Sequence, residues 1–441
     1  MAAMTAISPT GLAALALFAM SCALVALEEP LRLAKSKPAM LAAALIWALV
    51  AWSARGDATA AVPVADAFRQ VFLDYSELFF FLVVSMAFVE AMAERGVFAT
   101  LCAALARRGW SYRRLFWATG LLAFALSSVL NNLTTALVIG AVALASNGGN
   151  TRFIALACVN IVVAANAGGA WSAFGDVTTL MVWQAGHAGF FEFFRLFVPA
   201  LVNWLLPAVL MSLAVPAGRP PAQAATATLQ RGGIAIAGLF AATIAATVAS
   251  VQWLALPAVY GMLAGLAFLQ GLAWWIGPRT RPAHSAAGDD TGPGFDIFRI
   301  LARAEWDTLL FFGGVLLSVG GLAFLGWLEL ASTQLYGQLG ATAANVTLGV
   351  ASAVIDNVPI MSAVLQMQPT MDHEQWLLIA LTCGVGGSLL SIGSAAGVAL
   401  MGVARGQYTF LSHLRWSWAI ALGYAASVAV HLWLAPVFTA P

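Results

Sequence analysis

Apolar stretches dominate the chain, at roughly residues 11–27, 39–52, 75–93, 115–145, 153–183, 193–214, 232–250, 254–276, 305–328, 341–367, 375–402 and 416–437. A membrane-spanning helix needs about 20 mostly apolar residues, and most of these stretches reach or approach that length. Strand-like alternation is absent. Hydrocarbon offers no hydrogen bonds to the backbone, so the pattern predicts α-helices that satisfy their own amides and carbonyls. Four stretches (115–145, 153–183, 341–367 and 375–402) are too long for one simple span and contain polar residues. They are expected to be paired half-helices or re-entrant hairpins. The fold class is all-α, a polytopic membrane protein with roughly 10–13 transmembrane segments.

The polar interruptions come in matched pairs. The first pair is Ser127-Ser128-Val129-Leu130-Asn131-Asn132 and Ser352-Ala353-Val354-Ile355-Asp356-Asn357, with Asn132 and Asn357 separated by 225 residues. The second pair is Gly168-Gly169-Ala170-Trp171-Ser172-Ala173-Phe174-Gly175-Asp176-Val177-Thr178-Thr179 and Gly386-Gly387-Ser388-Leu389-Leu390-Ser391-Ile392-Gly393-Ser394, with Gly175 and Gly393 separated by 218 residues. Upstream, Ser76-Glu77-Leu78-Phe79 resembles Trp306-Asp307-Thr308-Leu309, at an offset of 230 residues. Two breaks in the same order in each half form a repeat signature. It divides the chain into N-terminal helices and a loop (1–74), a first transport repeat (75–214), connecting helices with a hydrophilic linker (215–304), and a second transport repeat (305–441). Pro and Gly mark the linker between Gly277 and Arg303, and a second candidate runs from Pro216 to Arg231.

Charge gives the halves an orientation. Arg95, Arg107, Arg108, Arg113 and Arg114 follow the first carboxylate-bearing helix, whereas residues 327–341 hold no Lys or Arg. The positive-inside rule puts the first loop in the cytoplasm and the second outside, so the repeats are expected to be inverted. Arg32, Lys35 and Lys37 place the first connecting loop inside as well. No cationic residue precedes the apolar stretch at 11–27, which reads as a first transmembrane helix rather than a cleaved signal.

Composition sharpens this picture. Of 441 residues, 61% are hydrophobic and 9% charged, too few for a water-facing surface. A net charge of +1 leaves no basic stripe for phosphates, so nucleic acid is excluded as a partner. The partners expected are the lipid bilayer and small cations, with room left for a homodimer, and no cofactor is implied. Cys22, Cys102, Cys158 and Cys383 stand singly and suggest neither disulfides nor zinc. The five histidines, His187, His284, His373, His413 and His431, lack partners at helical spacing.

Candidate chemistry centres on Asp176 and Asp356. A carboxylate at membrane depth costs about 2.5–3.5 kcal/mol on insertion scales and usually faces a functional interior. Such a group holds either a proton or a cation, and that competition is the chemical basis of exchange. The bland alternative is an Asp that caps a half-helix. Asn131, Asn132, Asn166, Asn357, Thr178, Thr179, Ser352, Ser391 and Ser394 surround the pair in sequence and offer hard oxygen ligands. Gly168, Gly169, Gly175, Gly386, Gly387 and Gly393 are expected to permit unwinding. Glu77, Glu90 and Asp307 are secondary candidates for a proton relay, although carboxylates near helix entrances are tolerated without function.

At these residues the chain resembles the NhaD-type sodium/proton antiporters of the ion transporter superfamily. The stretch from Ala164 to Trp183 carries most of the likeness, followed by Leu130-Asn131-Asn132-Leu133-Thr134-Thr135 and Ser352-Ala353-Val354-Ile355-Asp356-Asn357-Val358-Pro359. The resemblance implies exchange of cytoplasmic Na⁺ or Li⁺ for protons across the bacterial inner membrane, in pH and salt homeostasis, with Na⁺ at Asp176 and Asp356. One departure is visible: the family pattern tends to Asp-Asn where this chain has Asn131-Asn132, one titratable group fewer. A rival reading is an anion carrier of the same superfamily for dicarboxylate, citrate or arsenite, which helix N-termini would favour and the two carboxylates would oppose. An intramembrane aspartyl protease is remote, because Phe174-Gly175-Asp176 lacks the Gly-x-Gly-Asp pattern of those enzymes. The chain is therefore expected to be a transporter and not an enzyme.

Overall fold

The structure, a computed structural model, describes residues 6–55, 58–145, 149–220, 228–276 and 296–439. Every regular element among them is helical. In chain order the longer helices are α1 (Pro9–Ala26), α2 (Ser36–Ser53), α3 (Ala58–Glu94), α4 (Val97–Ala106), α5 (Tyr112–Ser127), α6 (Asn132–Ala145), α7 (Thr151–Ala170), α8 (Val177–Gln184) and α9 (Phe197–Ser212). They continue as α10 (Gly233–Leu254), α11 (Ala258–Ile276), α12 (Trp306–Phe324), α13 (Trp327–Ala351), α14 (Asn357–Met367), α15 (His373–Gly386), α16 (Ala395–Ala404) and α17 (Ser417–Thr439). Among the described residues, nine helices are long and apolar enough to cross a membrane: α1, α2, α3, α7, α9 with the turn before it, α10, α11, α12 and α17. This is an all-α polytopic membrane protein. Exposed indoles near helix ends (Trp52, Trp253, Trp274 and Trp433) match the aromatic belts at membrane–water interfaces.

The four overlong apolar stretches all break as expected. The first divides into α5 and α6, the second into α7 and α8, the third into α13 and α14, the fourth into α15 and α16. One further interruption escapes the sequence reading. Gly340 adopts φ 75° and ψ 162° inside α13, a conformation open to glycine because it has no Cβ. Of the linker between Gly277 and Arg303, residues 277–295, including His284, lie outside the described residues. The part beyond them forms a short helix, Ile297–Ala302, capped by Asp296. Of the second linker, residues 221–227 likewise lie outside.

The chain forms two compact units. One comprises residues 72–107 and 224–310. In it Phe88 stacks on Phe240 at 5.0 Å, and Gly261 and Gly265 of α11 seat against Thr247 and Thr243 of α10. Such small-residue contacts replace the hydrophobic effect between helices in lipid. Arg299 pairs with Glu94 at 2.7 Å and Arg303 with Glu90 at 3.4 Å.

The other unit comprises residues 1–71, 108–223 and 311–441 and contains all four breaks. Its centre is α7, buried from Leu156 to Ala170 and packed against α5, α6, α9, α15 and α16. Helix α15 is buried in the same way from Trp376 to Gly386. Away from this centre, α1 and α2 meet α12 around Ile46, Trp47 and Leu317, where Trp47 Nε1 donates to Leu317 O at 2.8 Å.

The break glycines act differently from expectation. None of the six has a positive φ, so conformational freedom is not what selects them. What they supply is room. A Cβ on Gly168 would meet the Phe124 carbonyl, and one on Gly386 the Gly349 carbonyl. The remaining four match across the halves: a Cβ on Gly169 would lie 2.8 Å from Gly175 O, and one on Gly387 2.7 Å from Gly393 O. On Gly175 it would lie 2.6 Å from Ser127 O, and on Gly393 2.6 Å from Ser352 O. The correspondences Gly168–Gly386, Gly169–Gly387, Gly175–Gly393 and Ser127–Ser352 reproduce the sequence offsets as contacts.

Because the obstacle at Gly386 is backbone, Gly386→Ala is expected to lose about 1–3 kcal/mol of stability, the usual cost of overpacking. The thermal midpoint of the detergent-solubilised protein should fall accordingly. Gly402→Ala in α16 meets nothing within 4 Å and should shift stability by no more than about 0.5 kcal/mol. Equal midpoints for the two variants would refute the close-approach explanation.

Candidate functional site

Each interruption ends with a residue that caps the half-helix following it. Asn131 Oδ1 accepts from Thr134 N at 2.7 Å at the start of α6, and Asp176 Oδ1 accepts from Val177 N at 2.7 Å at the start of α8. Asp356 Oδ1 accepts from Val358 N at 3.4 Å at α14, and Ser394 Oγ accepts from Gly397 N at 3.2 Å at α16. The capping role weighed against the ion role for Asp176 and Asp356 is therefore real, and Asn131 and Ser394 cap in the same way. It leaves the second carboxylate oxygen of each Asp for other uses. It also explains why Asn131 is tolerated, since Asn and Asp cap helices about equally well.

Asp176 stands where the two halves meet. Its Oδ2 accepts from Thr178 Oγ1 at 3.0 Å and from Asn357 Nδ2 at 2.8 Å. Asn357 opens α14, so this bond joins the second break of one half to the first break of the other. Gly384 of α15 faces the same oxygen, with a notional Cβ 3.4 Å away. A parallel polar row runs alongside. Asn132 Nδ2 donates to Asn166 Oδ1 at 3.0 Å, and Asn166 Nδ2 donates to Ser388 Oγ at 2.8 Å, again crossing between halves. Asp176, Asn132, Asn166, Thr178, Thr179, Ser352, Asn357, Ser391 and Ser394 are all buried, while Asp356 and Asn131 are partly exposed.

The candidates thus differ in their partners. Asp176, Thr178 and Asn357 form one cluster, and Asn132 and Asn166 form the row beside it. Thr179 and Ser352 spend their hydroxyls on the backbone: Thr179 Oγ1 donates to Ser172 O at 2.8 Å, and Ser352 Oγ donates to Gly349 O at 2.8 Å. Ser391 is fully buried with no hydrogen-bond partner for its hydroxyl among the described residues, and so are Ser127 and Thr135. A buried hydroxyl is costly to leave unpaired, so these three are oxygens available to a guest. Glu77, Glu90 and Asp307 belong to the other compact unit. There Glu90 pairs with Arg303, and Glu77 and Asp307 are half-buried.

Sequence reasoning missed Ser388 as a site residue, although it stands in the quoted Gly-Gly-Ser motif. It also passed over Thr135, whose unpartnered state leaves no sequence signal, and it took His413 to be isolated. In the structure His413 contacts Ser388 and Tyr408.

Neither Asp176 nor Asp356 has a Lys, Arg or His at ion-pair distance among the described residues. Two carboxylates at membrane depth without a protein cation need a proton or a metal cation from outside the chain. The surrounding amide, hydroxyl and carbonyl oxygens suit a hard cation.

Comparisons with known proteins place the chain among transporters. Residues 3–384 match a family model described as a citrate transporter. The chain is 50% identical to a Na(+)/H(+) antiporter NhaD of Alkalimonas amylolytica, over 97% of this chain and 91% of that protein. It is 48% identical to the NhaD antiporter of Vibrio cholerae, over 97% of this chain and 92% of the relative. It is also 32% identical to sodium/proton antiporter 1 of Arabidopsis thaliana, over 94% of this chain and 71% of the relative. With half of its residues shared over nearly its whole length, the chain belongs to the NhaD-type sodium/proton antiporters of the ion transporter superfamily.

Proposed function

We propose that the protein exchanges Na⁺ or Li⁺ for protons across the bacterial inner membrane by alternating access, with the two break-bearing halves as inverted repeats. The observation that carries this reading is Asp176: a buried carboxylate with no protein cation, bonded across the halves to Asn357. Na⁺ and a proton compete for such a group, and mutually exclusive occupancy couples their opposite flows when only the loaded site changes access. Asp176 and Asp356 carry the exchanged charge. Thr178, Asn132, Ser127, Thr135 and Ser391 supply neutral oxygens. The Asp176–Asn357 bond also ties occupancy to conformation. A bond to a charged acceptor is roughly twice as strong as a neutral one, so protonating Asp176 loosens one of the links between halves.

A second reading, an anion carrier, draws support from the family model's description and from the half-helix N-termini at the breaks, whose partial positive charge favours anions. Asp176 and Asp356 oppose it, and the relatives at about half identity are named as cation antiporters.

In inside-out vesicles holding a proton gradient, Na⁺ or Li⁺ should dissipate the gradient, read by dye dequenching. Asp176→Asn and Asp356→Asn should abolish the response while the proteins still accumulate in the membrane. Silence toward all cations, with uptake of labelled citrate or succinate instead, would transfer the function to the anion carriers.

Asn357→Ala removes the donor to Asp176 Oδ2 but leaves both carboxylates. Loss of a hydrogen bond to a charged group costs about 1.5–3 kcal/mol, so exchange should fall at least about tenfold. A wild-type rate would show that the bond between halves is dispensable.

Asn131→Asp preserves the cap on α6 and adds a third carboxylate at the breaks. Its thermal midpoint should match the wild type and its apparent KM for Na⁺ should fall. An unchanged KM would place position 131 outside the ion's field.

A further inference from the structure

The chain that follows α16 folds back onto the second-half Gly-rich break. Arg405 and Gly406 take positive φ values of 39° and 81° and reverse its direction. Thr409 and Ser412 then form a reciprocal capping box that starts the short helix Phe410–Leu414. This turn delivers two donors to the interrupted backbone. His413 Nε2 lies 2.8 Å from Ser388 O, and Ser417 Oγ donates to Leu389 O at 2.6 Å. On the far side of the imidazole, Tyr408 Oη lies 2.7 Å from His413 Nδ1. His413 and Tyr408 are both buried.

Hydrogen-bond chemistry fixes the direction of this chain. A carbonyl only accepts, so Nε2 carries the imidazole proton and donates to Ser388 O. In the neutral ring Nδ1 is then the acceptor, and the Tyr408 hydroxyl donates to it. Tyr408 therefore selects the tautomer, and His413 in turn occupies the Ser388 carbonyl. Ser388 is held at both ends, because its Oγ accepts from Asn166 Nδ2, which belongs to the polar row ending at Asn132. The effect is to withdraw two carbonyls freed by the break, those of Ser388 and Leu389, and to fix the backbone leading to Ser391 and Ser394.

The segment that follows the first-half break makes apolar contacts instead. There the segment after α8, the 3₁₀ helix Phe190–Leu196, packs Phe194 against Trp171 at 5.8 Å and Phe190 against Phe174 at 5.8 Å. Thr179 Oγ1 also donates to Ser172 O within the first-half break, but the segment that follows that break contributes aromatic rings, where its counterpart in the second half contributes two hydrogen-bond donors.

We propose that Tyr408, His413 and Ser417 form a positioning brace for the second-half break, setting the apparent affinity for the transported cation without touching it. The affinity part of this proposal rests on the cation-exchange reading above. Partners that orient ligands from behind typically change metal affinity by about 10–100-fold when removed. A change in binding alone appears in KM and spares the maximal rate.

The test titrates Na⁺ in inside-out vesicles and follows amide hydrogen exchange of residues 387–394 by mass spectrometry. His413→Ala should raise the apparent KM at least about tenfold and keep the maximal rate per protein within about threefold. His413→Gln places an amide N–H near the position of Nε2 and should restore KM to within about threefold of wild type. Tyr408→Phe and Ser417→Ala should each fall between these two. Exchange should accelerate in 387–394 in His413→Ala, with residues 171–176 unchanged. A wild-type KM in His413→Ala, or equal loss of KM in the Ala and Gln variants, would overturn the brace. If His413→Ala does not accumulate, Tyr408→Phe and Ser417→Ala decide, and wild-type KM in both overturns it. A wild-type protein that moves no cation would defeat the transport reading instead. The brace then stands on accelerated exchange in 387–394 and falls if that exchange is unchanged.

Discussion

Broken helices in hydrocarbon impose one constraint from which most of this structure follows: the freed amides and carbonyls must be satisfied inside the protein. The amide ends are met by the side chains of Asn131, Asp176, Asp356 and Ser394, each capping the half-helix that starts beside it. The breaks themselves are buried by backbone lying directly on backbone, which is why glycine recurs at 168, 169, 175, 386, 387 and 393. Helices α7 and α15, which run into the two Gly-rich breaks, are buried along most of their length.

Within that frame the carboxylates are distributed diagonally. In one half the acid stands at the second break, as Asp176, and the matched position in the other half is Ser394. In the other half the acid stands at the first break, as Asp356, and its counterpart is Asn131. Capping is preserved at all four places, while charge is kept at two. Four half-helix N-termini would otherwise concentrate positive potential, and two acids are enough to make the same place hospitable to a cation. The bond from Asn357 to Asp176 then makes the ionisation of one half a matter for the other.

The two halves share a plan and differ in how the plan is secured. Aromatic packing around Trp171 and Phe174 is indifferent to small rotations of the backbone. The His413 and Ser417 bonds to consecutive carbonyls are not, since hydrogen bonds weaken steeply with misalignment. The segment that follows each break thus braces one half by shape and the other by direction.

Membrane class, helical content and the four polar helix breaks were legible in the linear chain, as was the presence of Asp176 and Asp356 at two of those breaks. Each depends on local composition, and at membrane depth local composition is decisive: an apolar run spans, and a polar cluster within it must be buried or wet. The resemblance over Ala164–Trp183 and the other breaks was legible for the same reason, as the chemistry is written in contiguous residues. Legibility ended at relationships between distant residues. Nothing along the chain sets Asn357 against Asp176, 181 positions away, or His413 against Ser388, 25 positions away. The break glycines suggested conformational freedom, and only three-dimensional packing revealed that space was the requirement, because a missing Cβ looks the same in sequence under either explanation. Sequence alone determined which polar residues lie at the breaks. Tertiary structure decided which of them meet, since the partners of a buried polar group are chosen by the packing of helices and not by their order.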